Sequence, residues 1–255
     1  MIEIIALGVL QGVAEFLPIS SSGHLVLAQN MMGVNAPGMR LDIFLHVGTL
    51  VSICVFYWRV IWRIVSRVEW DYALKVIVSA VPAVVVGLGC KEFLDEAFES
   101  SLMVGCALIF TGCVLIVSRF MRRGQGEVTY WKALIMGIFQ AIAITPGVSR
   151  SGMTLVAAHG AGVEAERSAE FSFLMSAPLI AGAAAMEVLK SLKAAGEAAA
   201  TAPETSWGLC LLGAAVAGIV GYWALKFLLR SLKSQWFWLF GPYCLVAGAV
   251  ALLLS

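Results

Sequence analysis

Four polar side chains near the start of the chain have the types and the spacing that phosphoryl transfer requires. Gln11 and Glu15 are four residues apart and would share one face of a helix. Ser21 and His24 are three residues apart and would also be neighbours on a helix. A hydroxyl, an imidazole and a carboxylate together can transfer a phosphoryl group through a serine nucleophile. The spacing indicates this chemistry, although a structural His24 that hydrogen-bonds to a backbone carbonyl would fit it too.

Two short polar turns predict a site for an anion. Each turn, Ser20-Ser21-Ser22-Gly23 and Ser149-Arg150-Ser151-Gly152, precedes an apolar helix that its serines can cap. Backbone N–H groups and the positive end of the helix dipole then point into the turn. With the guanidinium of Arg150, two such turns would bind a highly charged anion, and phosphate fits best. The predicted phosphate-binding residues are Ser20, Ser22, Gly23, Ser149, Ser151 and Gly152, with the two glycines permitting close approach of the backbone.

The carboxylate of Glu15 would repel a phosphate beside it, so a further group must neutralise the repulsion. Either a divalent cation lies between the two, or the carboxylate takes a proton. In the first alternative, Glu15 and Gln11 bind Mg²⁺ or Ca²⁺. In the second, Glu15 is a proton acceptor. The residues alone leave both alternatives open.

Helices in a membrane must position these residues. The chain has 255 residues, of which 60% are hydrophobic and 13% charged, and its mean hydropathy is +0.91. So few polar residues cannot cover a globule, which excludes a soluble enzyme. The net charge of +1 provides no basic face for nucleic acid. We expect an all-α polytopic membrane protein with about six transmembrane helices, at roughly residues 41–57, 75–90, 102–117, 169–189, 207–225 and 236–254.

Two further apolar segments, residues 4–32 and 133–159, are interrupted by the polar turns. Neither half of either segment is long enough to span, so each predicts a re-entrant pair of short helices. A shift of 129 positions places Gln11 on Gln140 and Ser20 on Ser149, which indicates a duplication. We expect a first repeat at 1–129 and a second at 130–255, each with one re-entrant hairpin and three spans. Three crossings would invert the second repeat relative to the first.

The positions of the basic residues predict the orientation in the membrane. One alternating set of loops holds twelve of the seventeen lysines and arginines, and the other set holds only four. Cytoplasmic loops carry the excess of positive charge, which places both termini outside. The remaining cation, Arg150, would lie inside the membrane and needs an anionic partner, either a ligand or Glu15. His46 and His159 are expected to be packing or interface histidines.

Two longer strings resemble the motifs of a known family. QGVAEFLPISSSGHL (Gln11 to Leu25) and PGVSRSGMT (Pro146 to Thr154) are similar to the two signatures of the undecaprenyl-diphosphate phosphatase family, also called bacitracin-resistance proteins. The likeness covers essentially the whole chain. It implies hydrolysis of undecaprenyl diphosphate to undecaprenyl phosphate and phosphate, at the outer face of the bacterial plasma membrane. This reaction would recycle the lipid carrier for peptidoglycan synthesis and confer bacitracin resistance.

The resemblance also implies a role for each motif residue. By motif position, Ser21 is the nucleophile, His24 assists proton transfer, Glu15 is catalytic or metal-binding, and Arg150 clamps the diphosphate. Some family members have Glu where this chain has Gln11. A glutamine can coordinate a metal through its carbonyl but cannot act as a base, so more of the chemistry depends on Glu15.

A transporter or flippase for a lipid phosphate is the alternative function. Inverted repeats with broken helices near the midplane also build secondary transporters. A transporter needs the anion site but no nucleophile, so Ser21, His24 and Glu15 favour the phosphatase. The expected partners are a polyprenyl diphosphate and membrane lipids, and the sequence leaves open whether the chain forms a homodimer.

Overall fold

The protein, described here by a computed structural model, is built from helices. The structure describes residues 1–32, 39–122, 124–197, 206–234 and 236–253. Over these ranges the chain forms twelve α-helices and two 3₁₀ turns, and an isolated β-bridge joins Gly126 to Val163. The helices are α1 (Ile2–Phe16), α2 (Ser21–Met32), α3 (Met39–Phe56), α4 (Trp58–Ser66), α5 (Trp70–Gly89), α6 (Lys91–Glu99), α7 (Ser101–Val117), α8 (Tyr130–Ile142), α9 (Arg150–Gly160), α10 (Ala165–Glu197), α11 (Trp207–Lys233) and α12 (Phe240–Leu253).

Four helical segments are long and apolar enough to cross a membrane, and they lie in α5, α7, α10 and α11. A fifth is added if α3 and α4, which meet at an angle of 72°, form one bent span. These five correspond to five of the six predicted spans. The sixth, at 236–254, is a shorter apolar helical segment, Phe237–Leu253, and residue 254 lies outside the described ranges. The chain is an all-α polytopic membrane protein, as its composition predicts.

Both interrupted segments form two helices joined by a turn. The first arm, α1, ends at Phe16, because the backbone is extended at Leu17 and Pro18 follows. Ser20 Oγ accepts a hydrogen bond from the N–H of Gly23 at 3.4 Å and caps α2. Ser149 Oγ accepts one from the N–H of Gly152 at 3.1 Å and caps α9. The predicted breaks and serine caps are confirmed, whereas the inverted repeat stays a prediction.

Glycines hold the first arm of each hairpin tightly against a long helix. A Cβ on Gly12 of α1 would lie 2.7 Å from the carbonyl oxygen of Ala217 in α11. A Cβ on Gly137 of α8 would overlap the carbonyl oxygen of Ser79 in α5. No side chain fits in these contacts, so the helix backbones touch. This packing fixes the rotation of α1 and α8 and therefore the direction of their polar residues.

Candidate active site

The two turns contact each other inside the helix bundle. A Cβ on Gly23 would lie 3.0 Å from the Cα of Gly147, and one on Gly152 would lie 3.3 Å from the Cβ of Pro18. Ser151 Oγ also donates a hydrogen bond across the junction to the Leu17 carbonyl at 3.1 Å. The N-termini of α2 and α9 thus meet at one place. The predicted convergence of the turns is confirmed.

Neighbouring helices hold the second turn in place. Thr111 Oγ1 of α7 donates to the carbonyl of Gly147 and accepts from the N–H of Ser149, both at 3.1 Å. Thr154 Oγ1 of α9 lies 2.6 Å from Ser172 Oγ of α10. Gly147 has φ of +90°, a conformation that a residue with a Cβ rarely adopts. These contacts restrict how far the turn can move.

Glu15 is the centre of the polar cluster at this junction. Its side chain is buried, and its Oε2 accepts hydrogen bonds from Ser21 Oγ at 2.6 Å and from Gln11 Nε2 at 3.0 Å. Its other oxygen, Oε1, forms an ion pair with Nη2 of Arg150 from the second hairpin. Glu15 is therefore the acidic partner that Arg150 was predicted to need. Four of the residues singled out in the sequence form one contact network.

The contact between Ser21 and Glu15 is suited to nucleophilic catalysis. A carboxylate oxygen only accepts hydrogen bonds, so the hydroxyl of Ser21 is the donor at 2.6 Å. A base that already accepts a hydrogen bond from the hydroxyl can remove its proton as the oxygen attacks. The guanidinium of Arg150 next to this pair can neutralise the charge of a phosphate.

A cavity of about 470 Å³ adjoins the cluster, and both polar and apolar side chains line it. The end of α1, the two turns and α3 supply most of the polar wall, to which α8 adds one glutamine: Glu15, Ser20, Ser21, Ser22, Asp42, His46, Gln140, Ser149, Arg150 and Ser151. The apolar wall comes from α5, the end of α8 and its following turn, and α10, and it includes Ala83, Ala143, Ile144, Leu179, Ile180 and Ala184. Such a cavity fits a ligand with an anionic head and an apolar tail.

Comparison with known proteins agrees with this geometry. The model of the family described as "Bacitracin resistance protein BacA" matches residues 4–250. The chain belongs to this family. Among its relatives, an "Undecaprenyl-diphosphatase" of Rhodopirellula baltica is 40% identical over 100% of this chain and 98% of the relative. Another of the same name, from Halothermothrix orenii, is 35% identical over 99% of this chain and 97% of the relative.

Some predicted site residues of this BacA-family chain do not line the cavity. His24 Nδ1 donates to the carbonyl of Ser20 at 2.9 Å, and its Nε2 accepts from the hydroxyl of Tyr243 at 2.8 Å. Gln11 reaches the site through Glu15 alone, and Gly23 and Gly152 form the contact between the turns. The cavity lining contains none of these four residues. His24 and the glycines are thus positioned to hold the turns.

The sequence interpretation missed three polar residues of the cavity wall, Asp42, His46 and Gln140. His46 was expected to be a packing or interface residue. Its Nε2 instead lies 3.9 Å from Glu15 Oε2. Its Nδ1 donates to the carbonyl of Asp42 at 2.8 Å, which leaves Nε2 as the basic nitrogen. The sequence held a weak signal for Gln140, since the 129-residue shift places it on Gln11.

The residues at the cluster do not fit a self-contained site for Mg²⁺ or Ca²⁺. Three donors already occupy the oxygens of Glu15, and Gln11 presents its Nε2 to that carboxylate. The carbonyl oxygen Oε1 of Gln11 is buried and has no hydrogen-bond partner among the described residues, but coordination through Glu15 and Gln11 would require both side chains to rearrange. Over the part of the chain that the structure describes, no group of three or more His, Cys, Asp or Glu side chains is placed to hold a metal.

Proposed function

We propose that the chain hydrolyses undecaprenyl diphosphate to undecaprenyl phosphate and phosphate. The observation that carries the proposal is the 2.6 Å contact from Ser21 Oγ to Glu15, next to Arg150 at the junction of the two turns. Family membership and the names of the full-length relatives support the same reaction. In a bacterium this hydrolysis recycles the lipid carrier for peptidoglycan synthesis and confers resistance to bacitracin.

In the first step, Glu15 accepts the proton of Ser21 while Ser21 Oγ attacks the terminal phosphorus. The bond from that phosphorus to the bridging oxygen breaks, and the lipid leaves as its monophosphate. Arg150 and the N-termini of α2 and α9 neutralise the charge on the transferred group. His24 is a positioning residue in this scheme, because it holds the carbonyl of Ser20.

In the second step, water hydrolyses the phosphoserine and releases phosphate. A base must take a proton from this water. His46 lines the cavity, and its Nε2 lies 3.9 Å from Glu15 Oε2. We assign His46 to this proton transfer, with the proton of Glu15 returned to Ser21 as the phosphorus–oxygen bond breaks.

The site is proposed to face the outside of the bacterial plasma membrane. Asp42 and His46, which line the cavity, lie in the first two turns of α3. Ala83 lies in the last two turns of α5. Both helix ends adjoin loops that are predicted to be external from the distribution of basic residues. The apolar wall at α5 and α10 would leave the isoprenoid tail in the lipid while the diphosphate reaches the cluster.

A divalent cation stays a prediction, and the substrate is its expected carrier. Mg²⁺ is commonly bound by substrate phosphates with only one or two protein carboxylates. We therefore expect Mg²⁺ or Ca²⁺ to leave the melting temperature of the substrate-free protein unchanged, as EDTA should. An increase on adding either cation without substrate would contradict this expectation and indicate a resident site.

Phosphate release by purified full-length protein in detergent tests the function. With a polyprenyl diphosphate as substrate, we expect Ser21→Ala and Arg150→Ala to lower the rate at least about 100-fold. Ser66→Ala and Arg122→Ala, at exposed positions, are the matched controls and should keep wild-type rates. Radioactive phosphate from a substrate labelled at its terminal phosphorus should appear on Ser21 after rapid quenching. Full turnover in the Ser21 and Arg150 variants would refute the proposal.

The transporter alternative has no observation in its favour. Transport requires an anion site, but it gives no reason for a serine hydroxyl to donate to a buried carboxylate at 2.6 Å. The relatives described above are named for a diphosphatase activity. The hydrolase is therefore the function that we propose.

A further inference from the structure

Gln140 is a buried residue of the cavity that has no role in the proposed chemistry. Its side chain is only 2% exposed and lines the cavity on α8. Among the residues that the structure describes, neither its Nε2 nor its Oε1 has a hydrogen-bond partner. Burying an amide without a partner costs free energy, so this residue is expected to bind something that enters the cavity.

The other repeat shows how a glutamine at this position is normally satisfied. The 129-residue shift that aligns Gln140 with Gln11 also aligns Ile144 with Glu15. Gln11 donates to Glu15, four residues further along its helix. Gln140 meets an isoleucine at that place and so lacks the partner. The amide of Gln140 is therefore unused among the described residues, whereas that of Gln11 is used within the protein.

The packing of α8 on α5 places Gln140 at the apolar end of the cavity. The two helices run alongside each other, with the Tyr130 hydroxyl donating to Asp71 at 2.9 Å and Gly137 packed against Ser79. One turn beyond that contact lie Gln140 on α8 and Ala83 on α5, both in the lining. Gln140 therefore adjoins the apolar wall, and Glu15 and Ser21 lie on the other hairpin.

An isoprenoid diphosphate has two phosphates, one for the cluster of Ser21 and Arg150 and one for Gln140. If its terminal phosphate is at Ser21 and Arg150, the phosphate attached to the lipid points toward the apolar wall. Resting on the proposed function, we propose that Gln140 Nε2 donates a hydrogen bond to an oxygen of this lipid-attached phosphate. Phosphate oxygens are acceptors, and the amide nitrogen supplies two donor hydrogens.

A neutral donor also suits the step that follows hydrolysis. The lipid monophosphate must leave after cleavage, and a charged partner would hold this dianion more strongly. Gln140 thus makes the site specific for a second phosphate without retaining the product.

Inhibitor binding to the full-length enzyme tests the proposal, with farnesyl diphosphate as the substrate. We expect Gln140→Leu to raise the inhibition constant of farnesyl monophosphate by about 10-fold or more, the effect of losing a hydrogen bond to a charged group. Gln140→Glu should raise it further by repulsion. The inhibition constant of inorganic phosphate, which we expect to bind at Arg150, should stay unchanged. Gln125→Leu, at an exposed glutamine, is the matched control.

Stability separates this role from a structural one. Since the amide has no partner in the described part of the chain, Gln140→Leu should leave the melting temperature unchanged or raise it. An unchanged inhibition constant for farnesyl monophosphate would overturn the proposal. So would equal weakening of both inhibitors together with a lower melting temperature.

A binding measurement distinguishes failure of this proposal from failure of the proposed function. If the wild type releases no phosphate from farnesyl diphosphate, the function is refuted. The binding of farnesyl diphosphate to Ser21→Ala and to the double variant Ser21→Ala/Gln140→Leu is measured by calorimetry without turnover. Weaker binding by the double variant supports the role of Gln140 in either case, and equal binding refutes it.

Discussion

At the residue scale, the site depends on how one carboxylate is shared. Glu15 interacts with Ser21, Gln11 and Arg150 at once, and its side chain is only 5% exposed. Arg150 balances the negative charge that lets Glu15 act as a base, and the same guanidinium faces the incoming phosphate. The charges of Glu15 and Arg150 therefore depend on each other for the stability of the protein as well as for catalysis.

Removing one member of this pair should destabilise the protein more than removing both. Arg150→Leu leaves the Glu15 carboxylate buried with neutral donors only, and we expect a loss of about 3 kcal/mol, as for other broken buried pairs. The double variant Glu15→Gln/Arg150→Leu should recover much of this loss, because no charge is left unpaired. Melting temperatures in detergent of the wild type, both single variants and the double variant give the coupling. Additive effects would show that the pair contributes nothing to the fold.

The two histidines near the site should respond differently to substitution. His46→Ala removes the imidazole at the cavity and should lower phosphate release about 100-fold at an unchanged melting temperature. His24→Ala removes two hydrogen bonds and should also lower the melting temperature. Tyr243→Phe deletes only the outer of these bonds and should keep most of the activity. Full activity in His46→Ala together with a loss of activity in Tyr243→Phe would indicate that His24, and not His46, transfers the proton.

At the element scale, the two hairpins depend on glycine where the turns touch. Gly147 combines a φ of +90° with a Cβ position 2.5 Å from the Val104 carbonyl oxygen of α7. Its turn is held by Thr111, and it supports Ser149 and Arg150. A small change in this backbone would therefore move the guanidinium away from Glu15.

Gly147→Ala should abolish activity and lower stability. Gly162→Ala separates the effect of backbone strain from that of the clash with α7. Gly162 has φ of +72° but open space around its Cβ, so alanine there costs only backbone strain of about 1 kcal/mol. At Gly147 the clash adds about 1–3 kcal/mol to this strain. Phosphate release and melting temperature are measured for both variants. Equal effects would mean that the contact with α7 has no structural importance.

The sequence predicted the parts of the site that depend on local rules. The helix breaks, the serine caps and the pairing of Arg150 with Glu15 follow from turn residues, from capping and from the cost of a charge in the membrane. His46 and Gln140 could not be recognised in this way, because they reach the cavity through the rotation of α3 and α8. That rotation depends on distant contacts, such as that of Gly137 with Ser79. The same packing shows that Gly23 and Gly152 serve the junction of the turns.

At the scale of the whole molecule, the two halves of the chain contribute unequally to one site. Ser21 corresponds to Arg150 under the 129-residue shift, so equivalent positions supply the nucleophile and the cation. The helices that surround these two positions differ as well. Ser52 of α3 donates to the Gly218 carbonyl of α11 at 2.6 Å, and its counterpart, Ala181 of α10, has no side-chain donor. α10 lines the cavity with apolar residues such as Leu179, whereas its counterpart α3 also supplies the polar residues Asp42 and His46.

The proposed orientation predicts which surfaces reagents can reach. Helix α6 should lie outside and the segment before α8 in the cytoplasm, so in intact cells a membrane-impermeant maleimide should label Glu96→Cys but not Arg122→Cys. Both positions are exposed in the structure. The exposed native cysteines Cys54, Cys90, Cys106 and Cys113 are first replaced, while the buried Cys210 and Cys244 stay to preserve packing. Permeabilised cells, in which both variants should react, control for reactivity. Labelling of Arg122→Cys alone in intact cells would reverse the orientation, and the cavity at the start of α3 would then open toward the cytoplasm.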